Sequence, residues 1–168
     1  MVEYISRFLE LGQNINQLVL SLVTNDTLCK LLYYNVPDPL SQPSVPSPST
    51  DVLFNNLFPY PYSPIAETNE ISLLNVYLDN FRPEKVKFKE SLVICDVVCH
   101  QELWQLTGSS NGLRPYLIMN EIDDMFNQQD YIIGIGKMQF NSARVFFPAG
   151  IESKFCGYQL TYKILDFN

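Results

Sequence analysis

The sequence has few charged residues and no cluster of basic ones. Charged residues make up 17% of the chain, against about 25% in typical globular domains. The 11 Lys and Arg residues are scattered, and the net charge is −7 with a pI near 4.6. Binding to nucleic acid through phosphates needs grouped Lys and Arg, so this composition argues against it. A surface this poor in charge is either covered in part by neighbouring subunits or polar through Asn, Gln and Ser.

The sequence also lacks the long apolar runs of membrane and exported proteins. No run of 18 apolar residues occurs, so no membrane span is predicted. The segment Met1–Ser6 contains Glu3 and no basic region, which is not typical of a signal peptide. We therefore expect synthesis and folding in the cytoplasm. With 168 residues and 46% hydrophobic residues, the chain is expected to form a single domain, residues 1–168, with a substantial core.

Side chains suited to catalysis or metal binding are scarce. The chain has one histidine, His100, and four cysteines, of which Cys95 and Cys99 lie near it. No CxxC pair is present, so the spacing does not favour zinc. Cys99 and His100 are adjacent on a predicted strand and would point to opposite faces, which disfavours a Cys–His catalytic pair. The cysteines are expected to be free, buried thiols.

Two other patterns resemble a metal site and a phosphate-binding loop, but neither matches the motif. Glu121 and Asp124 share one face of a predicted helix, but an acidic pair on a wet helix face is usually solvated. Gly134–Lys137 reads GIGK, yet a Walker loop needs a longer spacing and a following helix, whereas Met138 continues a strand. The sequence thus predicts no catalytic residues, no metal and no cofactor, and the protein is not expected to be an enzyme.

The first part of the chain predicts two helices. Apolar residues recur at helical spacing from Tyr4 to Leu22, with Phe8 on the predicted buried face. A second, shorter helix is predicted over Thr27–Tyr34, capped by Asn25 or Asp26.

Residues 36–64 form a long proline-rich segment. Eight of the 11 prolines and no Lys or Arg fall here, so neither a helix nor a central strand can run through it. Its aromatic and aliphatic residues favour packing over free movement. Two interpretations remain open: an arm that docks on a neighbouring subunit, or a tethered surface loop whose aromatic residues fill local grooves.

Strand patterns dominate the remainder. Strands are predicted over Glu70–Asn80 and Val86–Gln101, with a turn at Phe81–Glu84 between them. A helix is predicted from Pro115 onward. Two final strands are predicted over Ile132–Phe140 and Lys154–Leu165. The order α-α-loop-β-β-α-β-β predicts an α+β fold, with a four- to five-stranded, mostly antiparallel sheet and helices packed on one face.

Several passages resemble neck proteins of tailed bacteriophages. They are LCKLLYYNVPDPLSQP (Leu28–Pro43), LRPYLIMNEIDDMFN (Leu113–Asn127), IGIGKMQF (Ile133–Phe140) and GYQLTYKILDFN (Gly157–Asn168). In these passages and in element order, the chain is similar to tail terminators, also called tail-completion or head-to-tail joining proteins.

The resemblance implies a structural protein of the virion neck, made in the host cytoplasm. Tail terminators form hexameric rings that cap the tail tube and present a surface to the head connector. The implied partners are other copies of the chain, the tail tube protein and the head connector or adaptor. DNA would pass through the lumen without sequence-specific binding, and an acidic chain suits such a lumen. The alternatives are a head-completion or connector-adaptor protein of the same neck, or a cytoplasmic binding module that uses its proline-rich loop.

Interface residues are therefore the predicted functional residues. The start of the arm and its aromatic anchors are candidates because buried aromatic residues often dominate interfaces, and two arginines are candidates for ion pairs between subunits. The predicted interface residues are Asp38, Pro39, Leu40, Pro43, Phe54, Phe58, Tyr60, Tyr62, Arg114 and Arg144.

Overall fold

The sheet is built from strands whose residues alternate between its two faces. The computed structural model describes residues 7–65, 69–84, 87–128 and 135–164. Five strands form one sheet in the order β1-β2-β3-β7-β6, and β4 and β5 form a separate pair. The strands are β1 (Leu57–Phe58), β2 (Ser72–Glu84), β3 (Lys87–His100), β4 (Gln105–Leu106), β5 (Gly112–Leu113), β6 (Met138–Phe146) and β7 (Phe155–Ile164). Every pairing in the sheet is antiparallel except β1 with β2. The predicted α+β class is confirmed.

The helices pack on one face of this sheet, here called the front face. They are α1 (Arg7–Leu22), α2 (Asp26–Tyr33) and α4 (Arg114–Gln128), whereas the single helical turn α3 (Pro48–Asp51) buries none of its residues. The predicted cap of α2 is Asn25, whose side chain accepts a hydrogen bond from the Leu28 amide at 2.9 Å. No helix in the described ranges is long and apolar enough to cross a membrane.

The core lies between the helices and the front face. It combines fully buried leucines of α1 and α2, such as Leu18 and Leu31, with Ile122 of α4 and Tyr162 of β7. Alternate residues of β7 face this core, since Leu160, Tyr162 and Ile164 all enter it. In contrast, Phe8 is 72% exposed and does not belong to the buried stripe of α1.

The opposite, back face of the sheet is covered by chain from the proline-rich segment instead of by a helix. Residues 59–65, here called the strap, follow β1 and reach the β6–β7 loop, where the Ser63 hydroxyl donates to the Pro148 carbonyl at 3.2 Å. Under the strap lies a second small core of Phe58, Leu73, Val98 and Phe155. The proline-rich segment is thus a folded part of this domain, as the second sequence interpretation allowed.

Two predicted boundaries are wrong. The segment Phe81–Glu84, predicted as a turn, continues β2. The strand predicted over Ile132–Phe140 is shifted: β6 runs from Met138 to Phe146, and residues 132–134 lie outside the described residues. Polar Asn141 and Ser142 looked like a loop in the sequence, but an exposed strand tolerates them, and a register irregularity between Phe140 and Ser142 accommodates the extra residue.

Candidate assembly surface

Arg114 is fully buried and cannot pair with a neighbouring subunit, so its prediction as an interface residue is wrong. Its Nε donates to the Leu103 carbonyl at 3.0 Å, and its terminal nitrogens donate to the carbonyls of Leu31, Tyr34 and Val36. These carbonyls surround the C-terminal end of α2, where a helix leaves acceptors unpaired and favours positive charge. Burial lowers the pKa of Arg114. The side chain ties α2, the proline-rich segment and the chain before α4 together.

Asp38 also makes its contacts inside the chain. Its carboxylate accepts hydrogen bonds from the amide and hydroxyl groups of both Ser109 and Ser110, at 2.7 to 3.2 Å. These donors hold the pKa of Asp38 at about 2. Next to it, Pro39 is buried and Leu40 packs against the front core. The predicted start of the arm is therefore fastened to its own domain.

The predicted aromatic anchors divide into two groups. Phe58 is buried, and Tyr62 stacks on it with ring centroids 4.3 Å apart, so both fill grooves of their own chain and are not surface anchors. Phe54 and Tyr60 remain 56% and 46% exposed. Pro43 is exposed as well. Only the second group is available to a partner.

The clearest open surface is strand β6, at one edge of the sheet. Among the described residues, no strand pairs with its outer side. Val145 and Phe140, on its front face, are 59% and 46% exposed. Arg144 is exposed on its back face, where its Nε donates to Gln159 at 2.9 Å. Of the ten predicted interface residues, Arg144 alone lies on this edge, which offers unpaired backbone donors and acceptors.

Arg144 ends a polar row that crosses four strands on the back face. Cross-strand pairing places Asn75, Asp96, Gln159 and Arg144 side by side. The buried carboxylate of Asp96 accepts from Gln159 at 2.8 Å and from the Tyr77 hydroxyl at 3.0 Å. Burial raises the pKa of Asp96, although these donors oppose the shift. The row links the open edge to the strap, because the Asn75 amide donates to the Tyr62 carbonyl at 2.7 Å.

Charge is divided unevenly between this edge and the rest of the chain. The segment of residues 137–164 contains four cations, Lys137, Arg144, Lys154 and Lys163, and one acid, Glu152. Its net charge is therefore +3, which leaves −10 for the remainder of a chain with a total of −7. The sequence contained this signal, but its meaning depends on knowing that the segment contains the edge strand β6 and its neighbour β7.

The described residues offer few groups suited to catalysis or metal binding. No group of three or more His, Cys, Asp or Glu among them could hold a metal ion. Burial raises the pKa of Cys29 to about 11 and that of Cys99 to about 12, so neither thiol is an activated nucleophile. His100 lines a cleft of about 680 Å³ beneath the strap, but its Nδ1 accepts from the Glu102 amide at 3.3 Å, a capping role.

Comparison with known proteins assigns the chain to a family. Residues 25–164 match the YomW family, which is most of the chain. The chain belongs to the YomW family. The family takes its name from a gene of a Bacillus phage of the SPbeta type, so this member is a phage-associated protein. No curated protein and no solved structure matches the chain.

Proposed function

We propose that this YomW family member is a structural protein of the phage virion neck, a tail terminator that assembles into a ring. The observation that carries the proposal is the open β6 edge, where unpaired backbone and exposed Val145 and Phe140 lie together. Exposed edges of this kind are normally blunted in monomeric proteins because they invite association. The phage association of the family gives this surface a context in which assembly is the function.

The distribution of charge over the chain favours assembly into a ring. A ring needs a heterologous interface, in which one patch of each copy meets a different patch of the next. Residues 137–164, which contain the edge strand β6, carry a net charge of +3, so they repel the same segment of another copy and attract the acidic remainder of the molecule. Two such edges therefore avoid each other, and head-to-tail association is favoured over a twofold dimer.

The proposed partners beyond the ring are the tail tube and the head connector. The overall charge of −7 suits a lumen that DNA crosses without sticking, since phosphates are repelled by acidic surfaces. The binding-module alternative is less favoured, because its proline-rich segment is occupied: Val45 and Val52 are buried in the front core. A peptide-binding partner would have to compete with these contacts.

The proposal is tested by measuring the mass of the purified protein in solution over a range of concentrations and by imaging it in negative stain. Hexameric rings that bind purified tails and block their further polymerisation are the expected result. Rings of twelve copies that bind heads instead would assign the protein to the head-completion side. A protein that binds neither half-particle, alone or as a ring, would overturn the neck assignment.

A further inference from the structure

We propose that the β6 edge of one copy pairs, antiparallel, with the open part of the β2 edge of the next copy, so that one sheet continues from subunit to subunit. The inference rests on the proposed ring and names the surfaces that close it. It also assigns a role to Asp79, Lys163, Gln139 and Leu78, none of which stood out in the sequence.

The second edge of the sheet is largely open. β2 contains 13 residues, but β1 pairs with it only at Leu74 and Asn75. From Val76 onward, no described strand lies on the outer side of β2. The register of β2 is irregular after Asp79, and Pro83 has no amide to donate, so the regular open part of β2 is residues 76–79. The sheet therefore presents two edges with unpaired backbone groups, β6 on one side and residues 76–79 of β2 on the other.

The strand directions make these two edges compatible. β2, β3, β7 and β6 alternate in direction, because each is antiparallel to its neighbour. β6 therefore runs opposite to β2. Placing β2 of the next copy beside β6 in the same orientation continues the antiparallel pattern, which a head-to-tail ring requires.

The side chains of the two edges also match. On the back face, Asp79, Leu92, Lys163 and Gln139 form one cross-strand row. When the row continues into the next copy, the neighbour's Asp79 lies beside Gln139. It is then two strands from Lys163, within reach of a long ammonium side chain.

The front face gives a matching apolar contact. Leu78, Val93, Tyr162 and Phe140 form the adjacent row. Phe140 is 46% exposed and Leu78 is half-buried, so both have surface to lose. Continuation of the row places the neighbour's Leu78 against Phe140, and aromatic–aliphatic cross-strand pairs stabilise sheets.

The occupant of the β6 edge is identified by charge. Residues 137–164 carry +3 and the rest of the chain −10, so the complementary surface is present on every other copy. Within residues 76–79 of β2, Asp79 is the charged residue, and it is exposed. An isologous β6–β6 pair would instead bring together two copies of residues 137–164, each with a net charge of +3, which costs energy.

Cross-linking separates these arrangements. Copies carrying Gln139→Cys and copies carrying Asp79→Cys, each in a Cys156→Ser background because Cys156 is free and only partly buried, are tagged to differ in mass, mixed and treated with a short bismaleimide. The expected product is the mixed dimer, with little product from either variant alone. Products from Gln139→Cys alone would show an isologous edge, and the absence of any mixed product would show that β2 is not the partner; either result overturns the proposal.

Charge reversal provides an independent measurement. Lys163→Glu is expected to weaken self-association about fivefold, and the double variant with Asp79→Lys is expected to restore it. Lys154→Glu makes the same charge change in the β6–β7 loop and is the matched control. If Lys163→Glu and Lys154→Glu weaken self-association equally, the β6–β2 pairing is wrong even where rings form and bind tails. If rings form through the β6–β2 pairing but bind no tail, the neck function is wrong and the pairing stands.

Discussion

Arg114 donates hydrogen bonds to several backbone carbonyls that the end of α2 and the adjacent loops would otherwise leave unpaired. Its guanidinium reaches carbonyl groups from three segments, and it is fully buried. Arg114→Ala should lower the free energy of unfolding by about 3 kcal/mol, because buried acceptors lose their donors. The free energy of unfolding of Arg114→Lys should lie between those of the parent and of Arg114→Ala, since one ammonium group cannot make all the hydrogen bonds of the planar guanidinium.

Urea unfolding measures this effect, and Arg144→Ala is the control because Arg144 is exposed. The control is expected to change stability by about 0.5 kcal/mol or less. Equal effects of the two alanine variants would contradict the structural role of Arg114. The sequence could not distinguish the two arginines, because the carbonyls that surround Arg114 come from residues 31–36 and from Leu103.

Asp96 should make stability fall as pH rises. Burial raises its pKa, so the folded protein holds the proton to higher pH than the unfolded chain does. The associated stabilisation is complete below the unfolded pKa and is lost as pH rises through the folded pKa. The groups that face Asp96 are Tyr77, Gln159 and Asn75, with Arg144 beyond Gln159.

The variant Asp96→Asn cannot ionise, and its amide can donate to the Tyr77 oxygen while its carbonyl accepts from Gln159. We expect it to be more stable than the parent at pH 8 by about 1 kcal/mol, with a smaller difference at pH 3.5, below the ordinary pKa of 3.8, where Asp96 is protonated in both states. Urea unfolding at both pH values tests this. Asp79→Asn, an exposed acid on the same face, is the control. A stability gain that does not depend on pH would rule out the ionisation of Asp96 as its cause.

At the scale of elements, strands with strong alternation were predictable and strands without it were not. β2, β3 and β7 begin and end within a few residues of their predicted bounds, because their apolar residues alternate or fill both faces. β6 lacks that signal, since most of its residues are exposed. The two-residue strand β1 is defined only by its pairing with β2, a contact between distant parts of the chain.

The proline-rich segment was predicted to be either an arm or a surface loop, and the structure packs it on its own domain. Val45 is buried in the front core, and α3 follows it directly at Pro48. Val45→Asp should therefore cost about 3 kcal/mol of unfolding free energy, whereas Pro46→Asp, at the exposed neighbouring position, should change it by about 0.5 kcal/mol or less.

Urea unfolding of these two variants decides how the segment acts. Equal stability of the two variants would show that Val45 does not hold the segment in its own domain. The expected difference would show that residues 41–49 contribute to the folded domain, so that deleting them should destabilise it.

At the scale of the whole molecule, the sequence predicted an assembly protein with its interface on the proline-rich segment, whereas the structure shows an open sheet edge at β6. Composition and resemblance both pointed to contacts with other subunits, and the arm was the obvious candidate. Which edge of the sheet stays open is a property of strand order, and strand order depends on pairings such as β3 with β7, 55 or more residues apart in the chain. Of the predicted residues, Arg144 lies on the candidate edge, whereas Phe54, Tyr60 and Pro43 are exposed elsewhere.

The division of charge between the edge and the rest of the chain predicts how assembly responds to salt. The segment with +3 and the remainder with −10 attract across the proposed interface. Salt shortens the range of this attraction from about 10 Å at 0.1 M to about 3 Å at 1 M. Raising NaCl across this range should weaken self-association on the order of tenfold, as measured by light scattering or sedimentation. The Lys163→Glu variant should show a smaller dependence, because part of the attraction is already gone. Stronger association in high salt would show instead that apolar contacts such as Phe140 and Val145 dominate the interface, since excluded salts strengthen apolar burial.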